Sequence, residues 1–434
     1  MRSKHGLTVL TLGSTLALAA LSAPLQAEPP AYVVYDTGAA GVGNGINNLG
    51  WPSGVLITTT GAAHAALWSP GNVIDLGTLG GTNSGVEWPI KNNHGLVVGI
   101  SETATTDPLG ETFSCSAFIP TNGHTCLPFL WQNGTLSALP LLGGNNGFAT
   151  GLNNAGAAVG WAETAVRDGT CVAPQVLQFL AVQWGPVSGA KRVLPPYAGD
   201  STSAATAIND AGEAVGISGD CDVAVGAFSA RHSLLWVNGR PIKLPTLGGQ
   251  GWNTPMAINS SGAVVGFSDL PGDVSGGVLT PNFQSFLWTR EGGIVNLGVL
   301  PGDALSEATG INDFGQIVGT SFDASGSPRV FLGENGQIYD LNTLVQANAP
   351  LYLLFSGDIN DRGEITGQAC VVVDGACGSV LHTFVAIVAP GNGENHRGDN
   401  GQSAARPTMS AELRERLLQQ RHFANMKPEP VPAR

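Results

Sequence analysis

Six residues carry side chains that are suited to binding or transforming a ligand. Carboxylates accept hydrogen bonds from hydroxyl groups, and two of them roughly 5–10 Å apart can act as general acid and base. Indole rings offer a large apolar face with a hydrogen-bond donor at one end. The candidates for ligand binding are Glu87, Trp88, Asp200, Trp252, Asp303 and Glu307.

Glu87 and Glu307 hold equivalent positions, each five residues before a recurring asparagine, Asn92 or Asn312. Paired carboxylates would be typical of a hydrolase or a lyase. The two repeat units that carry them are far apart along the chain, and we therefore expect the two side chains to lie too far apart for this chemistry. We assign no catalytic residue, and the sequence favours a binding protein over an enzyme.

Other motifs with defined chemistry are missing from the sequence. No serine lies in a nucleophile-elbow sequence, and no histidine pair has the spacing of a zinc site. Gly41–Gly45 lacks the spacing of a dinucleotide-binding loop, and the oxygen-rich spacing of a calcium loop is also missing. We therefore predict no cofactor and no metal site. Calcium is compatible with the acidic composition but has no motif to support it.

The elements that would position the candidates are written into the chain seven times. Each copy reads Asn, two residues, Gly, three residues, Gly, and intervals of 45 to 61 residues indicate a solenoid, a propeller or an array. Asparagine favours turns, and glycine takes the positive φ that a short hairpin requires, as we expect for Gly315. We number the units one to seven by their asparagines, which are Asn47, Asn92, Asn153, Asn209, Asn259, Asn312 and Asn360.

Each unit predicts four short strands, which we call a to d. Strand a leads into the asparagine turn, strand b carries the second glycine, and strand c carries a tryptophan in most units, as in Leu234–Leu244. We expect these recurring tryptophans to pack between neighbouring sheets. Four antiparallel strands are the content of one propeller blade, so the sequence predicts an all-β, seven-bladed β-propeller. A parallel β-helix is the second choice.

The two ends of the repeat region complement each other. Unit seven supplies strands a, b and c but lacks a fourth, whereas Tyr32–Gly38 precedes unit one and resembles the strand-d segment Val73–Gly77. We therefore predict that the N-terminal strand completes the last blade. This arrangement closes the propeller and removes an exposed sheet edge.

The units resemble the HAF repeat of exported bacterial proteins, which is named for a His-Ala-Phe tripeptide before Leu-Trp. The closest forms are His64–Trp68, His232–Trp236 and His382–Phe384, and the Leu-Gly-Thr-Leu-Gly-Gly and Ile-Asn-Asp-x-Gly segments also match. The resemblance covers residues 31–390 and implies an extracellular, propeller-like repeat. The tripeptide is never intact, and Gly333 stands where unit six should have tryptophan. The resemblance implies no catalytic or binding residues.

The cysteines lie in the longest connections, those between strands b and c. Six cysteines allow 15 pairings, and such bonds persist outside the cytosol. Two pairs share a single insertion each, and the remaining two cysteines lie in corresponding loops of units three and four. We predict the pairs Cys115–Cys126, Cys370–Cys377 and Cys171–Cys221.

The two ends of the chain differ from the repeats. Residues 1–27 combine Arg2 and Lys4, an apolar run and small residues before Glu28, which predicts a signal peptide. The apolar run is shorter than the ~20 residues of a membrane span, and we predict no such span. Residues 391–434 predict a disordered tail, a polar linker with one short helical stretch at Ser410–Phe423.

The sequence places this protein outside the cytosol, in the periplasm or the extracellular space. Its 32 acidic residues against 19 basic ones repel phosphate backbones, so we exclude nucleic acid as a partner. We expect a monomeric binding module for an extracellular ligand, which is a carbohydrate, a peptide or a surface partner. The alternatives are a secreted hydrolase or lyase acting at the propeller channel mouth, and a passive structural repeat.

Overall fold

The computed structural model describes residues 29–390 except 112, 114, 187, 188, 347 and 348, and then residues 405–420 and 429–430. The predicted signal peptide, residues 1–27, and residues 391–404 of the predicted linker lie outside the described residues.

The strands follow the repeat units. In chain order they are β1 (Tyr32–Ile46), β2 (Pro52–Ile57), β3 (Ala63–Ser69), β4 (Asn72–Gly77), β5 (Gly80–Gly85), β6 (Val97–Thr106), β7 (His124–Gln132), β8 (Thr135–Ala138), β9 (Gly143–Leu152), β10 (Ala158–Arg167), β11 (Leu177–Trp184), β12 (Lys191–Leu194), β13 (Thr202–Ile208), β14 (Ala214–Gly219), β15 (His232–Val237), β16 (Arg240–Lys243), β17 (Asn253–Ile258), β18 (Val264–Asp269), β19 (Val274–Ser275), β20 (Val278–Leu279), β21 (Phe283–Thr289), β22 (Gly293–Gly298), β23 (Leu305–Ile311), β24 (Ile317–Phe322), β25 (Pro328–Glu334), β26 (Gln337–Asp340), β27 (Leu351–Ile359), β28 (Ile365–Val373), β29 (Ala376–Val388) and β30 (Glu429–Pro430). The helices are α1 (Cys115–Phe118) and α2 (Ala411–Gln420), with 3₁₀ turns at Phe228–Ala230 and Leu341–Thr343.

Each of units two to six forms one four-stranded antiparallel sheet. The sheets are β5-β6-β7-β8, β9-β10-β11-β12, β13-β14-β15-β16, β17-β18-β21-β22 and β23-β24-β25-β26. The small hairpin β19-β20 is inserted between strands b and c of unit five and pairs with β30. The predicted all-β fold is confirmed, and one four-stranded antiparallel sheet per unit is the architecture of a propeller.

Strand β1 joins the first unit to the last. Its first part, Tyr32–Asp36, pairs antiparallel with β29 of unit seven, and its second part, Gly41–Ile46, pairs with β2 of unit one. The result is a seven-stranded sheet in the order β27-β28-β29-β1-β2-β3-β4. The N-terminal segment therefore lies where the fourth strand of unit seven is expected.

A repeated side-chain contact shows that this segment is equivalent to strand d. In unit one, His64 Nδ1 lies 2.8 Å from Asp75 Oδ2, across strands c and d. In unit seven, His382 Nδ1 lies 2.8 Å from Asp36 Oδ2 of the N-terminal segment. Each aspartate also accepts the N–H of the glycine two residues further on, at 2.7–2.8 Å. The same arrangement of histidine, aspartate and glycine therefore occurs at both ends of the repeat region.

The asparagine of each unit closes its own turn and binds the next unit. Its Oδ1 accepts the N–H of the residue four positions on, which confirms the turn interpretation. The turn glycines have positive φ, as expected; Gly315 has φ +81°. The side-chain Nδ2 donates to the backbone carbonyl of the next asparagine at 2.8–3.3 Å, and Asn360 Nδ2 donates back to the Asn47 carbonyl at 2.9 Å. Seven equivalent bonds thus run through all seven units.

The core lies between neighbouring sheets, as the recurring tryptophans predict. Trp184 of unit three is 1% exposed and packs with Val97 and Phe129 of unit two, and its Nε1 donates to the Pro140 carbonyl. Trp236 of unit four packs in the same way with residues of unit three. The disulfides Cys115–Cys126, Cys171–Cys221 and Cys370–Cys377 confirm the predicted pairing. The second of them links units three and four.

The described part of the C-terminal tail, residues 405–420, is folded against the sheets, although the sequence predicts a disordered tail. Thr408 exchanges backbone hydrogen bonds with Gly375 and Cys377, and Arg406 forms ion pairs with acidic residues of unit six. Leu413 and Leu417 of α2 are 4% and 1% exposed. Burial of these leucines explains the docking, and the expected helix is confirmed over Ala411–Gln420. Among the described residues, no helix is long and apolar enough to cross a bilayer.

Candidate functional site

Strand a of several units lines one central cavity. Successive side chains of a strand point to opposite sides, so residues five and three positions before each asparagine face the same way. In units two, four, five and six these positions contribute Glu87, Ala204, Thr206, Thr254, Met256, Glu307 and Thr309 to the cavity wall. The cavity has a volume of about 80 Å³.

Aromatic side chains form much of the remaining wall. Trp161 and Phe267 each follow the second glycine of their unit, and Trp88, Phe118 and Trp252 come from the segments around strand a and from an insertion. The Trp88 ring lies 5.0 Å from Phe118 and 5.9 Å from Trp161 between centroids, and the Trp252 ring lies 5.7 Å from Phe267. These edge-to-face contacts fix the rings in position.

The second glycine of each unit allows strands a and b to approach closely beside the cavity. A Cβ atom at Gly160 would lie 2.0 Å from the Phe148 carbonyl oxygen, and one at Gly266 would lie 2.1 Å from that of Thr254. Strand a also has a register shift here, for example between Pro255 and Ala257. Such bulges redirect side chains, which explains how strand a presents polar groups to the centre.

Two polar atoms of the cavity residues are buried without a hydrogen-bond partner among the described residues. They are Nε1 of Trp88, which is 7% exposed, and Oγ1 of Thr254, which is 5% exposed. The neighbouring Thr206 differs, because its Oγ1 donates to the Pro255 carbonyl at 2.6 Å. Unpaired buried donors and acceptors are rare in proteins and call for a partner. Both atoms belong to residues that line the cavity, but the atoms themselves are closed to solvent in this structure.

Carboxylates at the end of strand b position the segment before strand a. Asp269 accepts the N–H of Trp252 at 2.8 Å, and Asp273 accepts the N–H groups of Gln250 and Gly251 at 2.7 Å. Both aspartates are buried. In unit three, Glu163 binds two backbone N–H groups in the same manner. Asp269 and Asp273 are therefore positioning residues for Trp252.

Burial raises the pKa of several carboxyl groups, and this predicts a pH-dependent stability. The pKa of Glu163 is raised to about 7, and the pKa values of Asp269 and Asp358 are raised to about 6, in each case mainly by burial. Between pH 4 and 7 the folded protein therefore holds more protons than the unfolded chain. The free energy of unfolding should fall as pH rises through this window, by up to about 1.4 kcal/mol per pH unit for each group.

We expect a higher melting temperature at pH 5 than at pH 8, measured by differential scanning calorimetry in matched ionic strength. Glu163→Gln is the control variant, since it removes one titrating group and should flatten the profile between pH 6 and 7. A melting temperature that stays constant or increases from pH 5 to 8 would show that these groups titrate normally.

The structure brings four of the six sequence candidates together: Glu87, Trp88, Trp252 and Glu307 line the same cavity. The two glutamates line this cavity together, although their units, two and six, are far apart along the chain. In units two to six strand a is an edge strand of its sheet, and residues in or next to this strand line the same cavity although they are distant along the chain.

Asp200 and Asp303 are not among the described residues that line the cavity. Asp200 Oδ2 lies 2.7 Å from His232 Nδ1 and accepts the Ser218 hydroxyl at 2.7 Å. Asp303 forms ion pairs with Arg329, at 2.9 Å, and with Arg406. These contacts connect strands and the C-terminal segment, and they occupy both carboxylates.

The sequence argument missed Thr254, Trp161 and Phe118. Thr254 stands five residues before Asn259, as Glu87 and Glu307 stand before their asparagines, so the repeat register could have identified it. Trp161 could have been found in the same way from the second glycine. Phe118 lies in the insertion of unit two, which has no counterpart in the repeat, and no sequence signal points to it.

A second cavity, of about 60 Å³, lies among the asparagine turns. Lys91 of unit two lines this cavity. Its Nζ donates a hydrogen bond to the Ile311 carbonyl of unit six and lies 3.5 Å from Asp358 Oδ1 of unit seven. Asp358 is fully buried. This ion pair therefore connects unit two directly to units six and seven.

Among the described residues, one group of side chains has the spacing of metal ligands, namely Asp168, Cys171 and Cys221. Both cysteines belong to one disulfide, so neither offers a thiolate. This group therefore gives no support to a metal site.

No family model and no curated protein matches this chain. Solved structures similar to it include the β-propeller domain of the Trilobed protease from Pyrococcus furiosus (11% identity, TM-score 0.48, covering 81% of this chain and 94% of that one). Another is an ulvan lyase (9% identity, TM-score 0.40, covering 81% of this chain and 94% of that one). A third is the Trypanosoma rangeli sialidase (11% identity, TM-score 0.36, covering 74% of this chain and 56% of that one). Likeness at this level carries no argument about activity, which has to come from the cavity itself.

Proposed function

We propose that this chain is an exported, seven-bladed β-propeller of the HAF-repeat type, closed by its N-terminal strand, and that it binds an extracellular ligand in the central cavity. Closure is supported by the pairing of Tyr32–Asp36 with β29 and by the hydrogen bond from Asn360 to Asn47. The hydrogen bond joins the last unit to the first as the equivalent bonds join consecutive units, and the strand pairing puts the N-terminal segment at the strand-d position of unit seven.

Export is supported by the disulfides and by the character of residues 1–27. Disulfides persist in oxidising compartments such as the periplasm and the extracellular space. All six cysteines are paired in three bonds, of which Cys171–Cys221 ties two units together. We propose that the exported protein is a monomer that begins at Glu28.

The binding role rests on one observation. Side chains from five units converge on a single cavity, whose wall combines aromatic rings and carboxylates. Ligand sites are concave and largely apolar, with a few polar groups that orient the ligand.

A thermal-shift screen of residues 28–434 against glycans and peptides, with and without calcium, tests this proposal. A ligand at 100 times its Kd adds about 2.7 kcal/mol to the free energy of unfolding. Trp252→Ala should abolish the shift. Phe314→Ala is the matched aromatic control, since Phe314 is 77% exposed at a turn of unit six. If a ligand raises the melting temperature of Trp252→Ala as much as that of the wild type, the cavity is not its binding site.

A hydrolase or lyase is the second candidate, because Glu87 and Glu307 line the same cavity. In hydrolysis, one carboxyl group would protonate the leaving oxygen and the other would deprotonate the attacking water. If the protein is an enzyme, Glu87→Gln and Glu307→Gln should each bind the ligand found in the screen but release no product. A binding module releases no product even as wild type.

A further inference from the structure

We infer that Asp269 and Asp273 share one proton in the folded protein, and that loss of this proton releases the segment that carries Trp252. The two aspartates then form a pH-sensitive latch. The inference goes beyond the proposed function and holds whether or not the cavity binds a ligand. It follows from the contacts of the two carboxyl groups, from the residues around them, and from a comparison with the equivalent positions of other units.

The two carboxyl groups lie side by side in the interior. The N–H of Gly251 donates to Asp273 Oδ2 at 2.7 Å, and the N–H of the next residue, Trp252, donates to Asp269 Oδ2 at 2.8 Å. Consecutive backbone N–H groups therefore hold the two carboxyl groups, which also lie within hydrogen-bond distance of each other. Asp269 is 0% exposed and Asp273 is 1% exposed. Two buried carboxylates in contact repel each other unless a proton or a cation lies between them.

One oxygen of the pair has no donor among the described residues, and it identifies the position of the proton. Both oxygens of Asp269 are occupied, since Oδ2 accepts the Trp252 N–H and Oδ1 accepts the Asn282 N–H at 3.0 Å. Asp273 Oδ2 accepts two backbone N–H groups, whereas Asp273 Oδ1 is buried and unpaired. A protonated carboxyl group is a hydrogen-bond donor. A proton on Asp273 Oδ1 that is donated to Asp269 therefore pairs the remaining oxygen and removes the repulsion.

The surroundings supply no positive charge in place of the proton. Residues 248–289 run from the segment before strand a to the end of β21, and the two aspartates are the only charged residues among them. Strand β30, which pairs with β20, contributes Glu429, which is also acidic. Arg231 of unit four accepts a hydrogen bond from this region through its backbone carbonyl, but its guanidinium group pairs with Asp220 at 2.7 Å. A shared proton is therefore the group that neutralises the pair.

Units two and three solve the same problem without a shared proton. Three units carry an acidic residue three positions after the second glycine, namely Glu102, Glu163 and Asp269. In unit three, Gln175 Nε2 donates to Glu163 at 3.0 Å and to the neighbouring acid Glu111 at 3.3 Å, so an amide separates the two carboxylates. In unit two, His124 lies 3.7 Å from Glu102. In unit five the second acid contacts the first directly.

The latch holds two parts of unit five together beside the cavity. It binds the N–H groups before strand a, and it binds Asn282 at the end of the insertion that contains β19 and β20. The two parts are in contact, because a Cβ atom at Gly251 would lie 2.3 Å from Leu279 Cδ1 of β20. Trp252 lines the cavity. The proton therefore couples one wall of the cavity to pH.

The direction of the pH effect follows from burial. Burial, together with the charge of Asp273, raises the pKa of Asp269 from its ordinary value of 3.8 to about 6. Proton binding therefore stabilises the closed latch fully below about pH 4, and this stabilisation is lost as pH rises to about 6. Above that pH both carboxylates are charged, and we expect the Trp252 segment and the insertion to open more often.

Hydrogen exchange of residues 28–434 at pH 5 and pH 8, resolved to single residues by mass spectrometry, tests the latch. Exchange is expressed as protection factors, which correct for the intrinsic effect of pH on the exchange rate. The protection factors of the Gly251, Trp252 and Asn282 N–H groups should fall about tenfold from pH 5 to pH 8, because the opening constant rises about tenfold per pH unit up to the folded pKa and is then constant. The Thr82 N–H is the matched control, since it donates to Glu102 at 3.1 Å in unit two and should change less.

Two substitutions test the position of the proton. Asp273→Asn places a permanent amide donor where the protonated oxygen lies. Its protection factors should be about tenfold higher than those of the wild type at pH 8 and equal at both pH values. Asp269→Asn should lower the melting temperature at both pH values, because both Asp269 oxygens accept backbone N–H groups and an amide N–H would face one of them. Glu102→Gln is the control variant in unit two, and it should leave the exchange of unit five unchanged.

Three outcomes would overturn the latch. The first is protection in unit five that is equal at pH 5 and pH 8. The second is an Asp273→Asn variant that exchanges faster than the wild type at pH 8. The third is protection at pH 8 that increases with calcium and decreases with EDTA in the wild type but not in Asp273→Asn, which would place a cation where we place the proton. None of these measurements uses a ligand of the cavity, so the proposed function is tested separately.

Discussion

Deletion of residues 31–38 is expected to abolish cooperative folding. The deletion removes the strand that pairs with β29 and leaves that sheet edge open. It also removes Tyr32, which is fully buried, and Val34, which is 7% exposed, from the apolar cluster of units six and seven. Loss of two such core side chains costs several kcal/mol, a large part of the 5–15 kcal/mol that typically stabilises a fold.

Circular dichroism and thermal melting of the deletion variant test this expectation. Deletion of residues 28–30 is the matched control, because it shortens the same end of the mature chain and leaves the pairing of Tyr32–Asp36 with β29 intact. The control should melt as the full mature protein does. A variant without residues 31–38 that keeps the wild-type transition would rule out closure by the N-terminal strand.

Lys91→Met is expected to destabilise the protein by about 3–5 kcal/mol at pH 8, because removal of one partner of a buried ion pair leaves the other charge uncompensated. That other charge is Asp358, which is fully buried. Burial raises the pKa of Asp358 to about 6, and the positive charge of Lys91 opposes this rise. Without Lys91 the pKa should increase further, and the stability of the variant should recover as pH falls and Asp358 becomes protonated.

Chemical denaturation at pH 8 and pH 5 measures both parts of this prediction. The double variant Lys91→Met/Asp358→Asn is the control, because it removes both charges and should recover much of the lost stability at pH 8. A single variant that unfolds like the wild type at pH 8 would mean that the ion pair contributes nothing. A loss that is equal at both pH values would locate the defect elsewhere.

Periodicity explains how much of the fold could be predicted from the sequence. The asparagine turn depends on local chemistry, and its glycine needs positive φ. The sequence of each copy is therefore enough to predict its own hairpin. The disulfides followed because the repeat register places Cys171 and Cys221 in corresponding loops of neighbouring units. The equivalence of Glu87 and Glu307 came from the same register.

Contacts between distant units could not be predicted in this way. Lys91 and Asp358 occupy no matching positions in their units, and nothing in the spacing links them. Arg406 reaches Asp303 from a segment outside the repeats. Glu87 and Glu307 illustrate the same limit, because the spacing of their units along the chain does not reveal that both side chains line one cavity.

Docking of the C-terminal segment shows a related limit. Leu413 and Leu417 give α2 an apolar side, which the sequence reveals, but the surface that receives them is assembled from several units. The same apolar cluster contains Trp88 and Trp252 of the cavity. The docked helix and the cavity wall therefore share one core.

Hydrogen exchange of the N-terminal strand, followed by mass spectrometry of the folded mature protein, is the most direct test of the closed ring. Tyr32 N–H donates to the Leu344 carbonyl, and the residues up to Asp36 pair with β29. We expect peptides covering residues 31–40 to exchange as slowly as those covering β17, which is strand a of unit five. Complete exchange of residues 31–40 within seconds, while β17 stays protected, would contradict closure.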